Sequence, residues 1–249
     1  MSIIDAFILG LIQGLTEFLP VSSSGHLILA ERLGIGEPSL AVNLLLHLAT
    51  LAAVLIVFRR PFFELLRHPF SKRTLLYIVA CVPTAAIALI FKKYFFGLLV
   101  GSMLPFCFML SAFIMAAADI FKPDKTGVLN NKNAFLTGVM QGFAVLPGIS
   151  RSGSTIAALT LRGVPRNEAK EFSFMLSVPV ITAGALSEIT EIKGSFSVAP
   201  LSAAVAVITA FLFGLISLRL TSRAIDRGRF WPFSVYLVTI SVLSFFIMY

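Results

Sequence analysis

The sequence predicts an all-α polytopic membrane protein with six transmembrane helices and two re-entrant helix-loop-helix hairpins, arranged as an inverted-topology repeat. Composition, the lengths of the apolar stretches and the positions of the basic residues predict this fold class. Of 249 residues, 57% are hydrophobic and 13% are charged, whereas a soluble domain carries about 25% charged residues. The chain therefore lacks the polar surface of a water-exposed globule. Its composition also excludes a disordered chain and a disulfide-stapled secreted fold.

Six apolar stretches are long enough to span a bilayer, which takes about 20 apolar residues, with a range of roughly 17 to 25. None shows the alternating segments of roughly ten residues that an outer-membrane β-barrel requires, so each is predicted to be helical. The stretches cover residues 40–58, 74–91, 104–120, 172–190, 201–218 and 230–249.

Two further apolar regions, 3–33 and 134–164, contain polar and helix-breaking residues and are predicted to be re-entrant hairpins. Each half of such a region is too short to cross the bilayer. Non-helical backbone at membrane depth is tolerated only where protein or a water-filled cavity surrounds it. The interruptions are Gln13, Glu17, Pro20 and the run 22–25 in the first region, and Gln141, Pro147, Gly148 and the run 150–153 in the second.

The chain carries 20 Lys and Arg against 12 Asp and Glu, a formal charge of +8 that in a soluble protein would suggest nucleic acid. Here 15 of the 20 basic residues lie in four loops between apolar stretches. They are interpreted as orientation signals and contacts to anionic membrane lipid, with no nucleic-acid partner. Because basic loops stay in the cytoplasm, the first hairpin is predicted to enter from the outer side and the second from the inner side. The loops cover residues 59–73, 121–133, 162–170 and 219–229.

The two halves of the chain carry the trace of a duplication. A Gln-Gly pair at 13–14 recurs 128 residues later at 141–142, and the Ser-x-Ser-Gly pattern at 22–25 recurs at 150–153. Each half contains one hairpin and three spans, and an odd number of spans makes the halves antiparallel.

We therefore expect a single membrane domain, 1–249, built from a first repeat, 1–125, and a second repeat, 126–249. Inverted repeats with broken helices place a polar site near the membrane midplane, where the hairpin tips meet.

Glu17, His26 and Arg151 lie beside the interruptions of the two predicted hairpins. Placing each at membrane depth costs roughly 2.5–3.5 kcal/mol on insertion scales, so a functional role is favoured over a buried ion-pair network. A carboxylate, an imidazole and a guanidinium, with hydroxyls and Gly-rich backbone at helix starts, are the groups that proteins use to bind and act on phosphate. Ser22 and Ser24 have a plainer alternative role as small residues that let helices approach closely.

The interrupted regions resemble the signatures of a known family, the bacterial undecaprenyl-diphosphatases, also called bacitracin-resistance proteins. The first signature, Glu/Gln-x-x-x-Glu followed by Phe-Leu-Pro-Val-Ser-Ser-Ser/Thr-Gly-His, is matched by residues 13–26. The second, Pro-Gly-x-Ser-Arg-Ser-Gly-Ala/Ser-Thr, is matched by residues 147–155. The similarity extends over nearly the whole chain. One departure is Gln13, where many members have Glu, and it weakens any metal-ligating role for that position.

The resemblance implies an enzyme of the bacterial plasma (inner) membrane that hydrolyses a polyprenyl diphosphate lipid, undecaprenyl diphosphate, to undecaprenyl phosphate and inorganic phosphate. Its active site would face the outer, periplasmic side, and its activity would recycle the lipid carrier of cell-wall synthesis and confer bacitracin resistance. A homodimer is implied as well, and no organic cofactor. The rival hypothesis is a transporter or flippase of a phosphorylated polyprenyl lipid, because paired re-entrant hairpins also build secondary transporters.

Within the matched motifs, Glu17, Ser23, His26 and Arg151 are predicted to be catalytic. Arg151 can donate two parallel hydrogen bonds to phosphate oxygens. His26, three residues after Ser23, can act as a base towards Ser23 or a water. The predicted phosphate-binding residues are Arg151, Ser150, Ser152, Gly153, Ser154, Thr155, Ser22 and Ser24, with the backbone N–H groups of Gly153 and Ser154 contributing.

Two alternatives stay open at the level of sequence. Glu17 either orients His26 or, with Gln13, holds a divalent cation such as Mg²⁺ or Ca²⁺ that bridges the phosphates. The group that attacks phosphorus is either Ser23, through a phosphoserine, or a water held by His26 or a metal. His47, alone in the stretch 40–58, is expected to be a hydrogen-bonded core histidine without a functional role.

Overall fold

The computed structural model describes residues 1–36, 39–121, 126–192 and 198–249, and the regular secondary structure in these ranges is entirely helical. The predicted all-α fold is therefore confirmed. The helices are α1 Ile3–Phe18, α2 Ser23–Arg32, α3 Leu40–Val57, α4 Arg59–Arg67, α5 Lys72–Tyr94, α6 Phe96–Leu99, α7 Leu104–Ile120, α8 Asn131–Phe143, α9 Arg151–Thr160, α10 Arg166–Glu191, α11 Pro200–Asp226 and α12 Trp231–Met248.

Five of the described helices, α3, α5, α10, α11 and α12, are long and apolar enough to cross a membrane, and α7 is an apolar helix of 17 residues. These six helices coincide with the six predicted stretches. Helices α5, α10 and α11 run beyond the predicted bounds, because the helical hydrogen bonding continues through charged residues at their ends. The depth of α7 and of the hairpins in the bilayer stays a prediction.

Both predicted hairpins form helix pairs, and the chain turns at some of the predicted interruptions but not at others. Helix α1 ends at Phe18 and α2 begins at Ser23, whereas α8 ends at Phe143 and α9 begins at Arg151. Gln13 and Glu17, like Gln141, lie within helices and do not interrupt them. The turns instead contain Pro20 in one hairpin and Pro147 and Gly148 in the other. Proline lacks the N–H that a continuing helix needs, and Gly148 adopts a φ of 96°.

Each hairpin packs its first helix against a helix of the other half of the chain: α1 contacts α11, and α8 contacts α5. Glycines permit both contacts. A Cβ at Gly14 would lie 2.6 Å from the carbonyl oxygen of Ala210, and a Cβ at Gly138 would lie 2.1 Å from that of Ala80. Close approach at small residues is how helices associate where lipid removes the hydrophobic driving force. The predicted division of the chain after residue 125 lies at the edge of the described ranges and stays a prediction.

The segment 59–73, predicted as a cytoplasmic loop, contains the additional helix α4. Its exposed side chains include Phe63 and Leu66 as well as Arg59, Arg60 and Arg67. Nine residues are too few for a span, so a search for long apolar stretches does not detect it. Aromatic and basic side chains on one short helix are typical of a position at the membrane surface.

Replacing Gly14 by alanine should destabilise the protein, because the new Cβ would overlap the backbone of α11 at Ala210. Overpacking of this kind costs roughly 1–3 kcal/mol, so we expect a lower thermal unfolding temperature in detergent. Gly97→Ala is the matched control, since a Cβ at that position would meet nothing within 4 Å. Equal unfolding temperatures for the two variants would contradict the close α1–α11 contact.

The predicted sidedness can be tested with single cysteines in a Cys81→Ala/Cys107→Ala background. A cysteine at the exposed Leu33, after α2, should react with an impermeant thiol reagent added outside intact cells, and one at the exposed Asn131, where α8 begins, should not. Outside labelling of Asn131→Cys would overturn the inverted topology. Ser71 and Ser222 are also predicted to stay unlabelled. Glu37 and Ser197, predicted outer positions, lie outside the described residues.

Candidate active site

The tips of the two hairpins are joined by a buried ion pair between Glu17 and Arg151. Glu17 lies in the last turn of α1 and Arg151 begins α9. The Nη2 of Arg151 donates to Oε1 of Glu17 at 2.6 Å, and the two side chains are 14% and 6% exposed, respectively. The helix ends thus bring together two charges that stand 134 positions apart in the chain.

Two further donors hold the Glu17 carboxylate. Its Oε2 accepts from Nε2 of Gln13 at 3.0 Å and from Oγ of Ser23 at 2.6 Å. The predicted shared face of Gln13 and Glu17, one helical turn apart, is confirmed. With the guanidinium of Arg151, three donors therefore bond to the Glu17 carboxylate.

The turns of the two hairpins are also joined by a hydrogen bond from backbone to side chain. The Oγ of Ser22 accepts from the backbone N–H of Gly148 at 3.0 Å. Ser22 has a φ of 71°, the single positive value among non-glycine residues in the described ranges. From α7, Ser111 donates to the carbonyl of Gly148 and accepts from the N–H of Ser150. A left-handed serine is costly, at about 1–3 kcal/mol, and persists where its surroundings fix it.

A cavity of about 340 Å³ opens beside the ion pair. Its polar wall consists of Thr16, Glu17, Ser22, Ser23, Ser24, His47, Ser150, Arg151 and Glu188, and its apolar wall of Ala144, Val145, Ile149, Val180, Ile181 and Gly184. The Nη1 of Arg151 is buried and has no hydrogen-bond partner within the described part of the chain. Because an unsatisfied buried donor is expensive and Arg151 lines the cavity, we expect Nη1 to donate to an anion that binds there.

Half of the predicted phosphate-binding residues lie away from this cavity. Ser152 donates to the carbonyl of Leu19, and Thr155 is hydrogen-bonded to Ser173 at 2.6 Å. A Cβ at Gly153 would meet Met115, and Ser154 is fully buried. The structure thus places Ser152, Gly153, Ser154 and Thr155 inside the protein, because α9 turns away from the cavity after Arg151, and their role in phosphate binding stays a prediction.

The backbone N–H groups predicted to bind phosphate are also occupied. The N–H of Gly153 donates to Oγ of Ser150, its helix cap, and the N–H of Ser154 donates to the carbonyl of Ser150. Arg151, Ser150, Ser22, Ser23 and Ser24 remain as residues that line the cavity.

Among the described residues His26 makes no hydrogen bond to Ser23 or Glu17, so the predicted base–hydroxyl pair is not seen. Its Nδ1 lies 2.7 Å from the carbonyl of Ser22, to which it donates, and its Nε2 lies 2.7 Å from the hydroxyl of Tyr236. The ring stacks on Tyr236 and meets Phe108 edge-on. A helical side chain tilts towards the helix N-terminus, and that tilt carries the His26 ring back to the start of α2.

His47, expected to be a plain core histidine, lies on the cavity wall instead. Its Nδ1 is 3.5 Å from Oε1 of Glu188 in α10. The sequence does contain a signal for this pair, because His47 and Glu188 are ionisable residues that each lie within a predicted span. Neither is predicted from the sequence to belong to the site.

The described residues contain no group of three His, Cys, Asp or Glu side chains arranged to hold a metal ion. Both oxygens of Glu17 are already hydrogen-bonded, and Gln13 supplies its amide nitrogen to Glu17. This donor set does not fit a preformed site for the predicted divalent cation.

Comparisons with known proteins agree on one family. The family model described as "Bacitracin resistance protein BacA" matches residues 6–243. An "Undecaprenyl-diphosphatase" of Syntrophotalea carbinolica is 39% identical over 95% of both chains. That of Carboxydothermus hydrogenoformans is 38% identical over 98% of both chains. "Undecaprenyl-diphosphatase 4" of Bacillus thuringiensis subsp. konkukian is 37% identical over 98% of this chain and 96% of its own.

Arg151→Lys should abolish anion binding in the cavity, because one ammonium cannot hold Glu17 and a second oxygen as a guanidinium does. Inorganic diphosphate added together with Mg²⁺ should raise the thermal unfolding temperature of the detergent-solubilised protein but not of this variant. Arg162→Lys is the control, since Arg162 bonds to Asn133 away from the cavity. Retained stabilisation of Arg151→Lys by diphosphate would refute the role of Arg151.

Proposed function

The chain belongs to the bacitracin resistance protein BacA family, and we propose that its hairpin cavity hydrolyses undecaprenyl diphosphate to undecaprenyl phosphate and inorganic phosphate. The protein is a multi-pass membrane phosphatase, and its product is the lipid carrier of cell-wall synthesis. The family is named for bacitracin resistance, which regeneration of this carrier would explain. The relatives' names favour this activity over the transporter or flippase hypothesis.

The observation that carries the proposal is the unpartnered Nη1 of Arg151 beside the cavity. Arg151 donates through Nη2 to Glu17, and this hydrogen bond fixes the guanidinium plane. Nη1 then remains to donate to a phosphate oxygen. Charge-assisted hydrogen bonds of this kind are about twice as strong as neutral ones. Ser24 and Ser150 supply hydroxyls from the same wall.

Ser23 is the proposed nucleophile, and Glu17 replaces His26 as its proton acceptor. The Oγ of Ser23 donates to Oε2 of Glu17 at 2.6 Å. As Oγ bonds to the terminal phosphorus, the bridging P–O bond breaks, undecaprenyl phosphate leaves and the serine proton passes to Glu17. Phosphoryl transfer depends mainly on positioning and electrostatic stabilisation, so a carboxylate held by Arg151 and Gln13 is a sufficient acceptor.

A divalent cation, Mg²⁺ or Ca²⁺, belongs to the proposal as a companion of the substrate. Glu17 and Glu188 outweigh Arg151 in formal charge on the cavity wall, which disfavours a bare diphosphate. A cation bound to the diphosphate would neutralise phosphate oxygens. No step here runs through it, because the described side chains do not form a metal site.

Three further features complete the proposal: the protein resides in the bacterial plasma membrane, the cavity opens to the outer side, and the chain forms a homodimer. The distribution of basic residues supports the orientation, since it places the entrance of the first hairpin outside. Val180 and Ile181 on the apolar wall suit the prenyl chain next to its diphosphate.

Phosphate release from farnesyl or undecaprenyl diphosphate by the detergent-solubilised protein tests the activity, and Ser23 variants test the nucleophile. Ser23→Ala should lose nearly all turnover and Ser23→Thr should retain part, whereas Ser222→Ala, a control at a serine that does not line the cavity, should match wild type. Radiolabel from the terminal phosphate should remain on wild-type protein after a rapid quench. If Ser23→Ala keeps more than about 10% of activity, a loss below roughly 1.4 kcal/mol, water is the attacker.

A further inference from the structure

A second pair of ionisable side chains lines the cavity opposite the hairpin tips. His47 projects from α3 and Glu188 from α10, with Nδ1 and Oε1 3.5 Å apart and side chains 30% and 19% exposed. Oε2 of Glu188 is buried without a hydrogen-bond partner within the described ranges. Both residues share the cavity with Ser23 and Arg151.

The proposed reaction includes one proton transfer to which no residue has yet been assigned. A phosphoserine on Ser23 must be hydrolysed, and the attacking water needs a base. Glu17 already holds the serine proton at that stage and is bound by Arg151. Gln13 is an amide with no acid–base capacity, and both ring nitrogens of His26 are engaged outside the cavity. Among the described residues on the cavity wall, His47 is the one imidazole.

We propose that His47 is the general base for the second half of the reaction and that Glu188 positions its ring. This inference rests on the proposed phosphatase function. Neutral His47 takes a proton on Nε2 from a water whose oxygen bonds to the phosphoserine phosphorus. The P–Oγ bond breaks, Glu17 returns the proton to Oγ of Ser23, inorganic phosphate leaves, and His47 later releases its proton to solvent. The Glu188 carboxylate stabilises the imidazolium through Nδ1.

The charges around His47 suit this role. Glu188 of α10 is its direct partner, and Glu17 of α1 and Arg151 of α9 lie near enough to act on it electrostatically. Helix α11, which also packs against α3, carries no charged residue between positions 201 and 218. The carboxylate of Glu188 thus lies beside Nδ1 of the imidazole, and Nε2 accepts no hydrogen bond from the described residues.

His47→Ala should separate the two half-reactions. We expect a burst of about one undecaprenyl phosphate per protein, accumulation of phosphorylated Ser23, and steady phosphate release at least about 100-fold slower than wild type, the low end for a general base. Added imidazole should restore release to His47→Ala but not change wild type or the control His68→Ala, whose histidine is exposed. His47→Gln, which preserves the size of the side chain, should behave as His47→Ala without the rescue.

Glu188→Gln distinguishes a positioning residue from a structural one. This substitution should lower kcat about 10-fold at unchanged KM and prolong the lifetime of the phosphoserine. The double variant His47→Ala/Glu188→Gln should be no slower than His47→Ala, because groups that act as a unit are not additive.

The outcomes separate this inference from the function on which it rests. No phosphate release by wild-type protein would reject the proposed function. An active wild type with His47→Ala and His47→Gln within about threefold of it would reject the base. Slow His47 variants that neither accumulate phosphoserine nor respond to imidazole would show a structural pair between α3 and α10, and would also overturn the proposal.

Discussion

The Glu17–Arg151 ion pair is the constraint on which the rest of the structure depends. Burying two charges costs several kcal/mol per ion unless excellent geometry and further hydrogen bonds offset the loss of water. Arg151, Gln13 and Ser23 supply that geometry for Glu17. Removing Arg151 would leave the charge of Glu17 uncompensated, and removing Glu17 would leave that of Arg151. The close approach of the two hairpin tips is therefore a condition of keeping both charges inside the protein.

Backbone contacts make that approach rigid. Ser22 keeps a left-handed backbone because its hydroxyl binds Gly148, and Ser111 fixes the same turn from α7. The glycines of α1 and α8 then let each hairpin lie against a helix of the opposite half. Small residues at helix contacts and polar residues at the tips thus serve one arrangement, in which contacts within the protein hold the polar wall of the cavity in place.

The sequence was sufficient for what depends on length, composition and local pattern. The six apolar helices, the two helix pairs and the helical face shared by Gln13 and Glu17 follow from such signals. The directions of the side chains at the turns do not follow from such signals. His26 turns back to Ser22 and Tyr236, and Ser152 faces Leu19, because exact helix starts decide these orientations. His47 and Glu188 meet across two helices 141 positions apart, a contact that no local pattern encodes.

The exchange of packing partners between the halves has a consequence for biogenesis. Helix α1 is translated first, yet α11, the helix on which its glycines pack, begins at Pro200. At about 5–20 residues per second, synthesis of the intervening chain takes roughly 10–40 seconds. Arg151 itself follows Glu17 by 134 positions, so for roughly 7–27 seconds of this time the nascent first hairpin carries Glu17 with no guanidinium to neutralise it. Insertion machinery must therefore shelter a charged, incompletely packed hairpin until most of the polypeptide has emerged from the ribosome.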